Sequence, residues 1–308
     1  MFKFPDHQVA GHQACRGQLG PLTDDSGRFY KPLQDGERGS KEVAFYTMFS
    51  SNTSIPGHIH KFFPVFYGTQ LVEASDGSGL CPHLVLQDVV SGCCNPSIMD
   101  IKIGSRTWHP EASNEYIEKC LKKDRKSTSV SLGFRMSGLQ IFECKESGFW
   151  KPGKKQVKDF TPEDVRLVLR KFVSSNSSVD SRNPDCSFAH SVYGGSAGIL
   201  AQLLDLKEWF ENQTMYHFYS CSVLMFCEKE PLLEGRASVA GIKLIDFAHI
   251  VEGKGVIDHN FLGGLCSLIK FVSEILDSSD ESATKACDQS LQSGIQEDII
   301  SADNGQNQ

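Results

Sequence analysis

The apolar residues of this chain fall into two rhythms, and the shift from one to the other marks out its elements. Alternation marks half-buried strands, and recurrence at every third or fourth position marks helices. Residues 27–33 (GRFYKPL) read as a short strand carrying Lys31, and 39–51 (GSKEVAFYTMFSS) as a helix with Val43, Phe45 or Tyr46, and Phe49 at helical spacing. A strand interrupted by proline follows at 61–73, a turn at 75–79, a strand at 83–90 and a linker at 91–96 (SGCCNP). Residues 95–108 (NPSIMDIKIGSRTW) form the next strand, and 109–126 (HPEASNEYIEKCLKKDRK) a helix with a basic end. Residues 129–144 alternate as a strand pair turning at Ser137-Gly138. Residues 161–175 open with a T-x-x-D capping signature and a proline in the first turn of a helix. Beyond a loop at 174–186 come a helix at 194–213 and one long strand at 215–228. An exposed turn at 229–238, a hairpin partner at 241–250 and a closing amphipathic helix at 260–276 complete the series. Residues 1–27 read as a turn-rich lead-in, and no internal repeat is present.

The sum is an α+β protein of two lobes. An N-terminal lobe spans 1–94, a larger C-terminal lobe spans 95–276 with a helical segment at 109–127, and a polar, acidic tail at 277–308 is expected to be disordered.

One strand breaks the apolar pattern. Alternation across 96–103 sends Ile98, Asp100 and Lys102 to one face and Met99, Ile101 and Ile103 to the other. A second aspartate, Asp246, ends the apolar run KLIDF. A buried carboxylate is costly unless it is paired or binds a cation. A turn cap or a buried salt bridge explains either aspartate alone; the two strands together point to a charged site.

Composition narrows the classes without naming one. The 308 residues are 40% hydrophobic and 22% charged, with a net charge of -7, so the total does not predict nucleic acid or an anionic membrane as partner. No run has the length of a membrane span. The start MFKFPDHQVAGHQ has no apolar signal-peptide core, and eleven irregularly spaced cysteines read as reduced thiols.

Phosphoryl transfer needs a carboxylate to hold Mg²⁺ against the phosphates of ATP, a lysine to neutralise the transferred group, and a second carboxylate to orient or deprotonate the acceptor hydroxyl. Asp246-Phe247 is similar to the metal-binding D-F-G of protein kinases, here D-F-A. Lys31 on a strand and Glu42 on the next helix could form the ion pair that positions a phosphate-binding lysine, or could both be solvated surface residues. No G-x-G-x-x-G precedes Lys31 and no H-R-D occurs, which argues against a protein kinase while leaving a kinase-like two-lobed fold open.

Three motifs in order then carry a resemblance. PSIMDIKIG (96–104) matches the P-x-x-x-D-x-K-x-G signature of the inositol polyphosphate kinase family, CSVLMF (221–226) stands in place of its S-S-L-L box in loosened form, and IDFAH (245–249) matches its third motif. The resemblance runs from about Gly11 to Leu276. It is strongest to the family's plant-type multikinase branch through RFYKPLQ, HSVYGGS, WFENQTMYHF and GVIDHNFLGGL. It implies a two-lobed fold of the kind related to protein kinases and ATP-grasp enzymes, with a small helical inositol-phosphate-binding segment.

It also implies roles. Lys31 would contact the ATP phosphates with Glu42 in support, and Asp88 and Val89 would form the hinge facing adenine and ribose. Asp100 would serve the acceptor hydroxyl, and Lys102 would bridge the inositol phosphate and the transferred phosphoryl group. Ser222, with Ser220 as a second candidate, would sit near the nucleotide phosphates or metal. Asp246 would bind Mg²⁺, and His249 would line the inositol side. Lys119 and Lys123, on one helical face with Glu115, would clamp the substrate, with Arg38 and Arg135 as weaker candidates; the alternative is a solvated helix in which Glu115 pairs with Lys119. The family's animal multikinases carry glutamines on this helix, so single contacts do not transfer cleanly.

The function implied is ATP- and Mg²⁺-dependent phosphorylation of inositol 1,4,5-trisphosphate and tetrakisphosphate, at the 6- and 3-hydroxyls, towards the pentakisphosphate. The alternatives are a hexakisphosphate kinase making diphosphoinositols and a largely non-catalytic scaffold in transcription complexes. A monomer in nucleus and cytoplasm, without direct nucleic-acid contact, completes the expectation.

Overall fold

The computed structural model describes residues 1–11, 19–176 and 183–279. The N-terminal half is a four-stranded antiparallel sheet with one long helix. Its elements are β1 (Leu22–Thr23), β2 (Arg28–Pro32), α1 (Glu37–Ser51), a 3-10 turn (Gly57–Phe62), β3 (Phe66–Glu73) and β4 (Leu80–Gln87). The strand order is β1-β2-β4-β3. The proline interruption expected at 61–73 is real: the 3-10 turn precedes Pro64 and the strand follows it. Helix α1 buries Glu42, Phe45, Tyr46 and Phe49. Phe45, Tyr46 and Phe49 are the stripe expected from the sequence, while Val43 is only half-buried and the carboxylate of Glu42 lies inside instead.

The second sheet begins at β5 (Pro96–Ile103) and continues through α2 (Asn114–Arg125), α3 (Ser129–Leu132), β6 (Phe134–Cys144), β7 (Gly148–Trp150), α4 (Lys154–Lys158), α5 (Pro162–Phe172), α6 (Ala189–Val192) and α7 (Ile199–Asn212). Then come β8 (Tyr216–Phe218), β9 (Ser222–Glu228), α8 (Lys229–Leu233), β10 (Ala240–Ile245) and β11 (Ile250–Glu252). A final helix, α9, covers 259–279. Five strands pair in the order β10-β9-β5-β6-β7, and β11 pairs with β8 apart from them. The capping box at the start of α5 is present, with Thr161 and Asp164 satisfying each other's backbone N–H groups.

Strand β5 lies at the centre of this sheet, and its alternation is as expected. Met99, Ile101 and Ile103 enter the main core, while Ile98 packs with Val9, Val90 and Phe226 on the other face. The main core runs unbroken from α1 through both sheets to α9, so the two halves share one apolar interior.

Four expectations need correction. Ser137-Gly138 is no turn: β6 is one strand, and its register against β5 slips between the pairs Asp100–Gly138 and Ile101–Met136. The glycine has a clear cause: a Cβ on Gly138 would stand 2.0 Å from the carbonyl oxygen of Val9, where the N-terminal segment crosses the strand beside the bulge. Residues 129–132, expected as strand, form α3. The long strand at 215–228 is broken into β8 and β9 by Ser220, whose φ of 55° lies in the left-handed region. The exposed turn at 229–238 begins with the helix α8. The acidic tail lies outside the described residues from 280 onward, and α9 runs through 277–279.

Candidate active site

A cleft of about 780 Å³ lies where the two sheets meet. Its walls include Lys31 from β2, Arg38, Glu42 and Tyr46 from α1, Leu86 to Val90 at the end of β4, Ile98 and Asp100 from β5, Leu224 from β9, and Ile245-Asp246. The N-terminal segment, read from sequence only as a lead-in, supplies His7 to Gly11 and Leu19 to Pro21.

One rim is built around Lys31. Its Nζ donates to Glu42 Oε1 at 2.9 Å and to Asp246 Oδ1 at 2.7 Å. Glu42 is buried and also accepts from the backbone N–H of Phe247 at 3.2 Å. Phe247 is locked among aromatic rings of α1, with centroids 4.5 Å from Phe45 and 5.2 Å from Tyr46. Burial of this phenylalanine fixes the backbone of Asp246, which sits just past β10 at φ 70° and aims its carboxylate at the cleft. Left-handed backbone is tolerated by aspartate and asparagine better than by most side chains. Burial pushes the Asp246 carboxyl up, but the nearby Lys31 and Lys102 charges outweigh it and hold the group below its ordinary value.

Asp100 and Lys102 come from the opposite sheet. Asp100 is buried, and its Oδ1 has no hydrogen-bond partner among the described residues. Its pKa is pushed up to about 6, mainly by burial, with Lys102 opposing and Asp246 reinforcing the rise. Lys102 is not its hydrogen-bonded mate. The Lys102 Nζ donates to the Ser220 carbonyl at 2.5 Å and to Ser222 Oγ at 3.4 Å. The left-handed turn at Ser220 thus carries the carbonyl that holds the lysine. Ser222 is fully buried on β9, opposite Lys102, and its side chain is near enough to Asp100 to oppose the rise of that carboxyl's pKa. The glycine that closes the signature, Gly104, has φ 109°, and a Cβ there would meet Asn260 Nδ2 at 2.5 Å. Glycine is therefore required where β5 ends against α9.

At the end of β4, Asp88 is buried, with His7 Nε2 3.2 Å from its Oδ1 and the Val90 N–H donating to the same oxygen at 3.3 Å. Val89 is half-buried in the cleft wall. The carboxylate is thus tied to the N-terminal segment. Sequence reasoning missed His7, because nothing local links it to a residue so far along the chain.

The basic helix lies beyond Lys102. Lys119 and Lys123 are exposed on α2. Partial loss of solvent, then the charges of Arg135, Lys119 and Lys158, pull Lys123 below its ordinary value. Arg135 is an anchor here: its Nη1 donates to Asp124 Oδ1 and to Ser129 Oγ, both at 2.7 Å. Asp124 is buried and also accepts from the N–H and hydroxyl of Thr107, which pins α2 to the segment following β5. Arg38 stacks over the ring of Tyr116 at 5.3 Å, and the Tyr116 hydroxyl lies 3.0 Å from His249 Nε2. His249 falls to about 4, through burial first and then the charges of Arg38, His109, Lys102 and Lys41. Neither His109 nor Tyr116 stood out in the sequence.

Phosphate binding needs cations, and acceptance of a hydroxyl proton needs a base. The cleft sets Lys31 beside two carboxylates of unlike environment, and the charge of Lys102 reaches both of them. The unpartnered Asp100 Oδ1 and the cleft-facing Asp246 carboxylate are hard oxygen donors, which suit a divalent cation completed by phosphate oxygens.

Comparison with known proteins agrees with this chemistry. Residues 83–273 match the family model for inositol polyphosphate kinase. Inositol polyphosphate multikinase beta of Arabidopsis thaliana is 61% identical over 287 residues, covering 91% of this chain and 96% of that protein. A solved structure from structural studies and protein engineering of inositol phosphate multikinase is 54% identical, covering 76% of this chain and 99% of that one, with a TM-score of 0.66. The multikinase Ipk2 of S. cerevisiae, solved with ADP and Mn²⁺, is 22% identical, covers 81% of this chain and 99% of that one, and superposes with a TM-score of 0.62. The two-lobed, kinase-like α+β architecture expected from the sequence is the one these structures share.

Proposed function

The chain belongs to the inositol polyphosphate kinase family, and on that premise we propose that it moves the terminal phosphoryl group of ATP onto free ring hydroxyls of inositol 1,4,5-trisphosphate and then of the tetrakisphosphate. The 6- and 3-hydroxyls are the acceptors, and the pentakisphosphate is the end product. The observation that carries this reading is the meeting of Lys31, Glu42 and Asp246 on one rim of the cleft with Asp100 on the other, and with Lys102 near enough for its charge to act on both aspartates.

In this reading the nucleotide lies between the N-terminal segment and the apolar wall of Leu86, Val90, Ile98, Leu224 and Ile245. Lys31, held by two carboxylates, meets its phosphates. Mg²⁺, which Asp246 would hold, supplies charge neutralisation on those phosphates; the ADP and Mn²⁺ of the yeast structure support a nucleotide with a divalent ion. The acceptor oxygen forms a bond to the terminal phosphorus as the bond to the bridging oxygen breaks, and the hydroxyl proton passes to Asp100. A pKa of about 6 leaves that carboxylate ionised at neutral pH and more basic than an ordinary aspartate. Lys102, steadied by the Ser220 carbonyl, stands beside it to follow the charge that moves.

On the substrate side Lys119, Lys123, Arg38 and His249 face a ligand that is almost all charge, with Arg135 fixing the helix beneath them. The proposal extends to a monomer of nucleus and cytoplasm, with transcription-complex proteins as partners, supported by family resemblance.

Product chromatography tests the function. The protein is incubated with ATP and, in parallel, inositol trisphosphate, tetrakisphosphate, pentakisphosphate and hexakisphosphate. Pentakisphosphate arising from the trisphosphate supports the proposal. Diphosphoinositols formed from the hexakisphosphate alone would make the chain a hexakisphosphate kinase. No product from any of them would leave the scaffold.

A further inference from the structure

Four elements meet at one phenol. Helix α2 presents Tyr116, one turn before Lys119 and two before Lys123. Its hydroxyl is 3.0 Å from His249 Nε2, just beyond the Asp246 loop. The Arg38 guanidinium of α1 lies over its ring at 5.3 Å. The same hydroxyl lies beside the side chain of Ser220, whose carbonyl receives the Lys102 ammonium at 2.5 Å. His249 is bracketed by rings on two sides, with centroids 5.2 Å from Tyr116 and 5.7 Å from His109.

We propose that Tyr116 is the positioning residue of the inositol phosphate site: it holds His249 and Arg38 in place and ties the substrate helix to the turn that carries Lys102. This deepens the functional reading above and rests on it.

The physical argument starts from repulsion. Arg38, Lys41 and Lys102 bear on His249, and the carboxylate that also meets its charge, Asp246, is already bound to Lys31 at 2.7 Å. Lys41 is drawn back to Glu37 at 2.8 Å on its own helix. Cations gathered to receive a polyphosphate repel one another before it arrives, so neutral groups must hold them. A phenol does this without adding charge. Burial, above all, pushes the Tyr116 hydroxyl up to about 12, so it keeps its proton. His249 is neutral at working pH, and Nε2 can accept that proton in a hydrogen bond, leaving Nδ1 as the N–H. The ring face supplies Arg38 with a cation–π contact, which orients the guanidinium while leaving its edge free for phosphate oxygens.

Two substitutions separate these tasks. Tyr116→Phe deletes the hydroxyl and keeps the ring under Arg38. The Michaelis constant for inositol trisphosphate is expected to rise about three- to tenfold, the usual worth of one neutral hydrogen bond, while that for ATP stays within about twofold. Tyr116→Ala, which also removes the stacking face, is expected to raise it further. If the hydroxyl acts through His249, Tyr116→Phe in a His249→Ala background adds little to His249→Ala alone. A packing role would shift the melting curve of Tyr116→Phe and both Michaelis constants together.

Wild type is assayed first. If it phosphorylates no inositol phosphate, the functional reading falls and this one with it. If wild type is active and Tyr116→Phe keeps its constant for the trisphosphate, raises both constants alike, or adds its full effect on top of His249→Ala, the positioning role alone is overturned.

Discussion

On the Lys31 side of the cleft every charge has already met its opposite. Lys31 lies within 2.9 Å of Glu42 and 2.7 Å of Asp246, and Glu42 takes a backbone N–H as well. On the α2 side like charges gather: Arg135, Lys119 and Lys158 all act on Lys123, and Arg38, Lys41 and Lys102 act on a neutral histidine. The first region is complete without a ligand, held by aromatic packing behind Phe247. The second is only partly paired: Arg135 is held by Asp124 and Lys41 by Glu37, while Lys119, Lys123 and Arg38 have no carboxylate in ion-pair range among the described residues. A site shared by a common nucleotide and a variable acceptor gains from this division. The Lys31 half is paired and packed, whereas the α2 half carries Lys119 and Lys123 on an exposed helix.

The sharpest break of this contrast is Asp246→Asn. It removes the charge that completes the Lys31 cluster and replaces a hard anionic ligand with a poor neutral one. Turnover is expected to fall by about 1,000-fold or more at ordinary Mg²⁺. The fold is expected to survive, because asparagine accepts the left-handed backbone at φ 70°. Near-normal kinetics would make the carboxylate structural and dissolve the distinction drawn here.

Next in size is Asp100→Asn, which leaves the Lys31 cluster intact. ATP binding, read by nucleotide titration, is expected to be unchanged, while turnover falls at least ~100-fold, the lower end for a positioned acid or base. In wild type the same carboxylate sets the acid limb. Activity is expected to fall as pH drops through about 6, where Asp100 takes up its proton.

How much of this contrast could be read beforehand depends on how far its partners stand apart in the chain. The alternation of 98–103 announced a charged face and an apolar face on one strand, and β5 has both. Lys31 and Glu42 are close enough in sequence to be suspected as a pair. The third member is 215 residues from Lys31 and was marked only by the oddity of an aspartate ending an apolar run. His7 at Asp88 and Arg135 at Asp124 carried no such mark, since a surface-type residue shows its partner only in three dimensions. Ser137-Gly138 was misleading for a physical reason. Serine and glycine suit a turn, but here the glycine makes room for the Val9 carbonyl, a demand set by a segment with no periodicity of its own.

On the α2 side, Lys119→Ala and Lys123→Ala are expected to weaken the inositol phosphate and spare ATP. Losing one charge-assisted hydrogen bond, worth roughly 1.5–3 kcal/mol, raises the Michaelis constant for trisphosphate about 10- to 100-fold. The difference from wild type is expected to shrink as salt rises, because mobile ions screen the same exposed charges. Wild-type constants for both variants would make α2 a solvated face and move recognition to Arg38 and His249.

The smallest expected effect is one of stability, and it asks whether Asp100 is held in place by its surroundings or kept there at a cost. A carboxylate stabilised by a buried salt bridge has a lowered pKa, and its loss lowers the melting temperature at neutral pH. Here burial raises the pKa to about 6 from 3.8, and the neighbouring lysine gives its hydrogen bonds to Ser220 and Ser222 instead. The sign follows from proton counting. Between those two values the folded chain binds more protons than the unfolded chain, so this group's contribution falls as pH rises through the window and is unfavourable above it. Asn in its place carries no charge to bury. The ligand-free Asp100→Asn protein is therefore expected to melt about 2 °C or more above wild type at pH 7.5, with the gain disappearing by about pH 4. Scanning calorimetry of the two proteins at both pH values decides it. A variant that melts below wild type at pH 7.5 would show that the carboxylate is stabilised in its pocket, and that the open half of the site begins beyond β5.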